Sequence, residues 1–161
     1  MILLGTLLFP LMLELEGIPF FLQKNHFCGP SALSSVYHYY GEKISQNEIA
    51  EKIYIKELRG ALISDMENHA LNLGFNTKLS RGTVFDIQEE IKKRRPVIAL
   101  IDAGILFMKS PHYVVIFGYD ENRGLLMHTG YRQSVWMKEN KFHKKWKKMG
   151  STYLAIWKNK N

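Results

Sequence analysis

IPFFLQKNHFCGPSALSSVYHYYG, residues 18–41, decides how this chain folds. Leu33, Val36, Tyr37 and Tyr40 recur at helical spacing, and Gly41 follows as a residue able to take a positive φ and end the last turn. Pro30 sits where the first turn has no use for an amide hydrogen. The spacing predicts a helix that begins at Cys28, approached by an extended segment from Gly17 to Phe21.

Working outward, Ser45 with Glu48 three residues on reads as a capping box opening a second helix over QNEIAEKIY. A third helix fits Leu62 to Leu73, ended by Gly74. A fourth opens at Gly82 or Thr83 and runs through VFDIQEEIKKRR until Pro96, whose ring cannot continue the ladder. The second half changes character. Residues 97–101, 113–119, 124–128 and 152–157 are rich in β-branched and aromatic residues, and Asp120 to Gly124 reads as a hairpin turn. Phe142 and Trp146, four apart in a lysine-rich run, read as the buried stripe of an otherwise wet helix. A helical half followed by an antiparallel sheet is an α+β domain.

The chain has 161 residues, 46% of them hydrophobic, which is enough for one domain and too few for two ordinary ones. Residues 17–161 are assigned to that single domain. The formal net charge of +7 is concentrated near the C-terminus, where Lys141, Lys144, Lys145, Lys147 and Lys148 face Glu139 alone. No nucleic-acid reading motif accompanies that run, so nucleic acid is not an expected partner. Paired metal-ligand spacing, a glycine-rich phosphate loop and a dinucleotide fingerprint are likewise missing, and no metal or organic cofactor is expected. A lone cysteine forms no intramolecular disulfide and leaves the redox compartment open.

Residues 1–16 begin with MILLGTLLFPLML, an apolar segment without a basic start or a small-residue cleavage site. It reads as a truncated export signal or an anchor, with a first strand or helix packed on the domain as the alternative. An exported or membrane-associated location in a bacterium is favoured over the cytoplasm, and membrane association through this segment is an open expectation.

The chemistry centres on Cys28. At a helix N-terminus, unpaired amides and the helix dipole favour a thiolate. Gln23, five residues upstream, has an amide able to donate to an oxyanion beside the Cys28 backbone amide. His112 opens the strand HYVVIFGYD, where a general base is held rigidly and yet stays reachable. His26, His38, His69 and His143 read as ordinary helix or loop residues.

IPFFLQKNHFCGPSALSSVYHYYG and PHYVVIFGYDENRGLLMHTG together resemble the two halves of the active site in the bacteriocin-processing, double-glycine leader peptidase family. The stand-alone bacterial branch, often lipoproteins or fused to tetratricopeptide repeats, is the most similar. The resemblance implies a papain-like fold in which the cysteine-bearing helix packs on the C-terminal sheet. It also implies a cysteine peptidase acting on a peptide or protein, with Cys28 as nucleophile, His112 as base and Gln23 as oxyanion donor. The family usually places an aspartate, within an Asp-Pro pair, after the hairpin to orient the histidine; here Met127-His128-Thr129-Gly130 stands instead. His128 or Thr129 is the candidate for that role, with Asp120 a weaker one. A domain that binds peptides without cleaving them and a cysteine-dependent acyltransferase are the alternative functions, and the oligomeric state is open.

Overall fold

The computed structural model describes residues 11–159, so the apolar segment 1–10 and residues 160 and 161 lie outside the described residues. The order along the chain is β1 (Met12–Glu14), α1 (Cys28–Tyr39), α2 (Gln46–Ile53), α3 (Ile63–Asn72), β2 (Asn76–Arg81) and α4 (Val84–Lys92). Then come β3 (Val97–Asp102), β4 (Pro111–Asp120), β5 (Gly124–His128), β6 (Val135–Met137), α5 (Glu139–Lys147) and β7 (Thr152–Trp157). The strands form one antiparallel sheet in the order β2-β7-β3-β4-β5-β6. The helices and strands predicted from periodicity are present, within a residue or two at most ends.

α1 is buried along its whole first two turns, from Gly29 to Tyr37, rather than along one stripe. Its polar residues are satisfied inside: Ser31 donates to the Phe21 carbonyl at 2.9 Å and Ser34 to the Ile44 carbonyl at 2.8 Å. A helix apolar and serine-rich on all sides can sit in the middle of a domain because those hydroxyls find partners there. α1 packs against β4 and α3, and Gly29 leaves room for both: a Cβ there would stand 3.2 Å from Met66 Sδ of α3 and 3.4 Å from the Tyr113 ring of β4.

Three strands escape the periodicity reading. β1 extends the sheet beyond the end of β3, pairing Met12 with Asp120 and Glu14 with Gly118, and Leu15 is buried just after it. Residues 12–15 of the apolar start thus pair and pack as a first strand on the domain, the alternative that the sequence left open for this segment. β2, with sequence NTKLSR, is a half-exposed edge strand held by its register with β7. β6 has three residues, each half-buried, paired with β5. Gly118 sits at a register shift in β4, where a Cβ would meet Leu126 Cβ at 2.9 Å. Among the described residues no helix is long and apolar enough to cross a membrane.

Candidate active site

α1 starts at Cys28 with Phe27 as its N-cap and no side-chain hydrogen bond to its first amides. Those free amides are turned to use. The backbone N–H groups of Cys28, Gly29 and Tyr113 lie around the Cys28 sulfur and favour its charged form. Tyr113 is the residue bonded to His112, so β4 delivers its first residues directly to the helix start. Burial nevertheless raises the Cys28 thiol above its ordinary value, and the amides of Tyr113, Gly29 and Cys28 only partly offset it. The thiolate expected from a helix N-terminus is thus not the resting form near neutral pH. Desolvation of the sulfur outweighs the amides around it.

His112 is half-buried at the start of β4, opposite Ile101 of β3. Its Nε2 lies 2.5 Å from the main-chain carbonyl oxygen of Thr129. A carbonyl can only accept, so the proton sits on Nε2 and the Nδ1 lone pair is free. Burial lowers the His112 pKa, with the Thr129 carbonyl opposing it, and the ring is neutral near pH 7. The Tyr131 ring stacks on the imidazole, centroids 5.7 Å apart and planes 10° from parallel.

One turn after β5 makes these contacts possible. Thr129 closes it by donating its amide to the Arg132 carbonyl at 3.0 Å and accepting the Arg132 amide on its hydroxyl at 3.0 Å. Gly130, at φ +83°, accepts the backbone amide of Gln23 at 2.8 Å. The turn therefore carries the acceptor for His112, the ring stacked on it and the anchor of Gln23. The Gln23 side chain is buried against Gly130, where a Cβ would stand 2.2 Å from Gln23 Oε1. That oxygen has no hydrogen-bond partner among the described residues, a cost that proteins tolerate mainly at functional sites.

The structure thus brings Cys28, His112, Gln23 and Thr129 into one neighbourhood, Thr129 through its main-chain carbonyl and not its hydroxyl. His128 is placed elsewhere. Its Nε2 donates to the Ile18 carbonyl at 2.9 Å and its Nδ1 accepts the Ser134 amide at 3.1 Å, so neither nitrogen is free to orient His112. Phe20 and Phe117 pack on its ring, and burial holds it neutral. Asp120 lies at the opposite end of β4, about 26 Å along the strand from His112 by strand rise. It accepts the amides of Asn122 and Arg123 and so shapes the hairpin. Tyr113 and Tyr131 are the site residues that sequence reasoning passed over. An aromatic beside His112 and another just past β5 look like core residues until pairing brings Tyr113 to Cys28 and Tyr131 onto His112.

A cleft of about 660 Å³ opens from Cys28 between Leu58–Leu62 on one side and Lys109–Pro111 on the other, with Met149 at its edge. Behind Cys28 a smaller enclosed pocket is lined by Phe20, Ser35, His128 and Gly130. Among the described residues no three His, Cys, Asp or Glu side chains converge as metal ligands.

A cysteine at the start of a buried helix, set against a histidine at the start of an antiparallel strand, is the arrangement of a papain-like cysteine peptidase fold. The chain matches the model of the Peptidase_C39 like family over residues 15–154 and belongs to that family. The fold is shared with a candidate C39-like peptidase from Bacillus anthracis, 18% identical, TM-score 0.76, covering 93% of this chain and 99% of that one. It is also shared with the peptidase domain of Streptococcus ComA, a bi-functional ABC transporter involved in quorum sensing, 18% identical, TM-score 0.73, covering 89% and 100%. A double glycine motif protease from an AMS/PCAT transporter, solved with its leader peptide, is 16% identical with TM-score 0.68, covering 92% and 99%. No curated protein matches the sequence.

Proposed function

We propose that this protein is a cysteine peptidase that cleaves a peptide bond by acyl transfer through Cys28. The observation that carries this reading is the hydrogen bond from His112 Nε2 to the Thr129 carbonyl, because it leaves Nδ1 unprotonated as a base. Both partners rest neutral, so the proton moves as the bond forms. The Cys28 S–H proton passes to His112 Nδ1 while the sulfur attacks the substrate carbonyl carbon. Negative charge develops on the carbonyl oxygen, where the Cys28 amide and the Gln23 side-chain amide donate. The imidazolium returns its proton to the departing amine, and water, deprotonated by the same nitrogen, hydrolyses the thioester. The missing carboxylate is compensated in orientation though not in charge: the Thr129 carbonyl fixes the tautomer, and the stacked Tyr131 shields that hydrogen bond from water.

The substrate is a peptide lying across the cleft between Leu58–Leu62 and Lys109–Pro111. A leader ending in a double glycine is the class to test first, because a protease of the same fold has been solved with its leader peptide. Incubating the protein with a peptide library and reading cut sites by mass spectrometry tests both points. Cleavage that survives Cys28→Ala would sink the mechanism, and cuts with no preference for glycine would sink the substrate class.

A second reading rests on the same missing carboxylate: a domain that binds peptides without cleaving them. Rapid mixing with an activated ester separates the two. A peptidase gives a burst of acyl-enzyme stoichiometric with Cys28, and a binding domain gives none.

A further inference from the structure

The loop between β3 and β4 has a rigid base and an apolar tip. At the base, buried Asp102 accepts the amides of Gly104 at 2.9 Å and Ser110 at 2.8 Å, and Ala103 donates to the Ser110 carbonyl at 2.8 Å. At the tip, Ile105, Leu106, Phe107 and Met108 are exposed by 79%, 85%, 100% and 80%. Four consecutive apolar side chains that lean on nothing are a projecting wedge, not the wall of a groove. A protein that exposes such a patch usually covers it in use.

Charge indicates what covers it. Lys141 and Lys145 of α5 and Lys148 at its C-cap recur at the spacing of one stripe, beside the buried Phe142 and Trp146. That stripe is fastened to the loop's base: Lys145 Nζ donates to the Asp102 carbonyl at 3.2 Å, and Lys148 Nζ is 3.5 Å from the Asp102 carboxylate. Lys109 follows the tip directly, and the loop itself contains no acidic residue between Asp102 and Asp120. A projecting apolar tip with Lys109 beside it and the α5 lysines fastened at its base matches the surface of an anionic bilayer, whose headgroups meet the lysines while the acyl boundary takes the wedge. A projecting tip does not itself supply the concave apolar floor that a peptide helix would use.

We infer that the tip Ile105–Met108, together with the lysines of α5 and Lys109, docks the domain on an anionic lipid surface. Docking brings the mouth of the Cys28 cleft to the bilayer, because Lys109, Ser110 and Pro111 line that cleft. The inference stands independently of whether the site cleaves peptides. It also differs from anchoring through the N-terminus: β1 enters the sheet beside Asp120, at the other end of β4 from this loop.

The test is sedimentation of the full chain with vesicles of phosphatidylcholine alone and of roughly three parts phosphatidylcholine to one part phosphatidylglycerol. The expected result is binding to the anionic vesicles well above the neutral ones, weakened by salt. Ile105→Asp with Phe107→Asp should lower it by about tenfold or more. Lys109→Gln combined with Lys141→Gln should lower it by about thirtyfold, on anionic vesicles only. Circular dichroism should find each variant folded, since the substituted side chains are exposed. Equal binding to both vesicle types, or a tip variant that binds as the native protein does, would overturn the inference. A tip variant that keeps vesicle binding but raises KM for peptide in vesicle-free solution would assign the tip to substrate and overturn it too.

Discussion

The helices of this protein begin in two different ways. α2 and α4 each start with a complete capping box: Ser45 with Glu48, and Thr83 with Asp86, exchange side-chain and backbone hydrogen bonds. α1 starts on Phe27 with no side chain closing its first turn, as α3 does on Leu62 and α5 on Lys138, and of these three it is α1 that begins at a cysteine. The free amides of a helix N-terminus are an instability when left to water and an anion site when aimed at a reacting atom. At α2 and α4 the chain closes them and gains stability. At α1 it leaves them pointing at the sulfur of Cys28.

The difference can be broken from the reactive side first. Cys28→Ala should lower kcat/KM for peptide cleavage by at least about a thousandfold, measured by chromatography of the products, with the thermal midpoint nearly unchanged. Gln23→Ala should cost about a hundred- to a thousandfold in kcat as one oxyanion donor is lost. Gly130→Ala should approach that loss without touching Gln23 itself: the position has φ +83°, and the new Cβ would stand 2.2 Å from Gln23 Oε1. A Gly130→Ala variant with native kcat would show that Gln23 is not held by this turn.

The electrostatic side gives a smaller effect with a definite sign. Burial lowers the His112 pKa, so the base stays neutral, and activity persists, to a pH below the ordinary histidine value of roughly 6.5. Tyr131→Ala opens the ring to water, which should raise that pKa toward roughly 6.5, shift the acid limb of the kcat/KM profile upward and cost about tenfold in rate. An unmoved limb would detach Tyr131 from the base. The same shifts act on folding. His112 and His128 bind protons more weakly folded than unfolded, so their contribution is intact above roughly 6.5 and is lost as pH falls toward their folded values. Urea denaturation across that window should show the midpoint falling with pH.

The smallest effects belong to the capped helices and sharpen the contrast. Ser45→Ala and Thr83→Ala should each lower stability by about 0.5–2 kcal/mol in urea denaturation and leave kcat/KM where it was. Loss of activity parallel to the loss of stability would mean that the α1 terminus is not an independent device.

Much of this was readable before any coordinates. Helical spacing and an early proline marked the start of α1, Ser45 and Glu48 announced their box, and the dense β-branched runs of β3, β4 and β7 declared themselves. These are local signals, carried by residues within one or two turns of each other. β1, β2 and β6 were not readable, because short or half-exposed strands are defined by the partner they pair with and not by their own pattern. His128 misled for a related reason: a histidine beside the place of an expected carboxylate looks functional until its two nitrogens are traced to Ile18 and Ser134.

By itself, then, the sequence determined that Cys28 would begin a helix, that His112 would begin a strand, and that no carboxylate would follow the hairpin. Tertiary structure alone decided what replaces that carboxylate. The group that meets His112 is a main-chain carbonyl, and every residue has one; only the turn at Thr129–Arg132, docked against β4 and the Gln23 segment, selects which carbonyl it is. The same packing decided the protonation of the pair. The amides of a helix start are local and favour a thiolate, whereas burial is set by the whole domain, and for Cys28 burial is larger than the amides' effect.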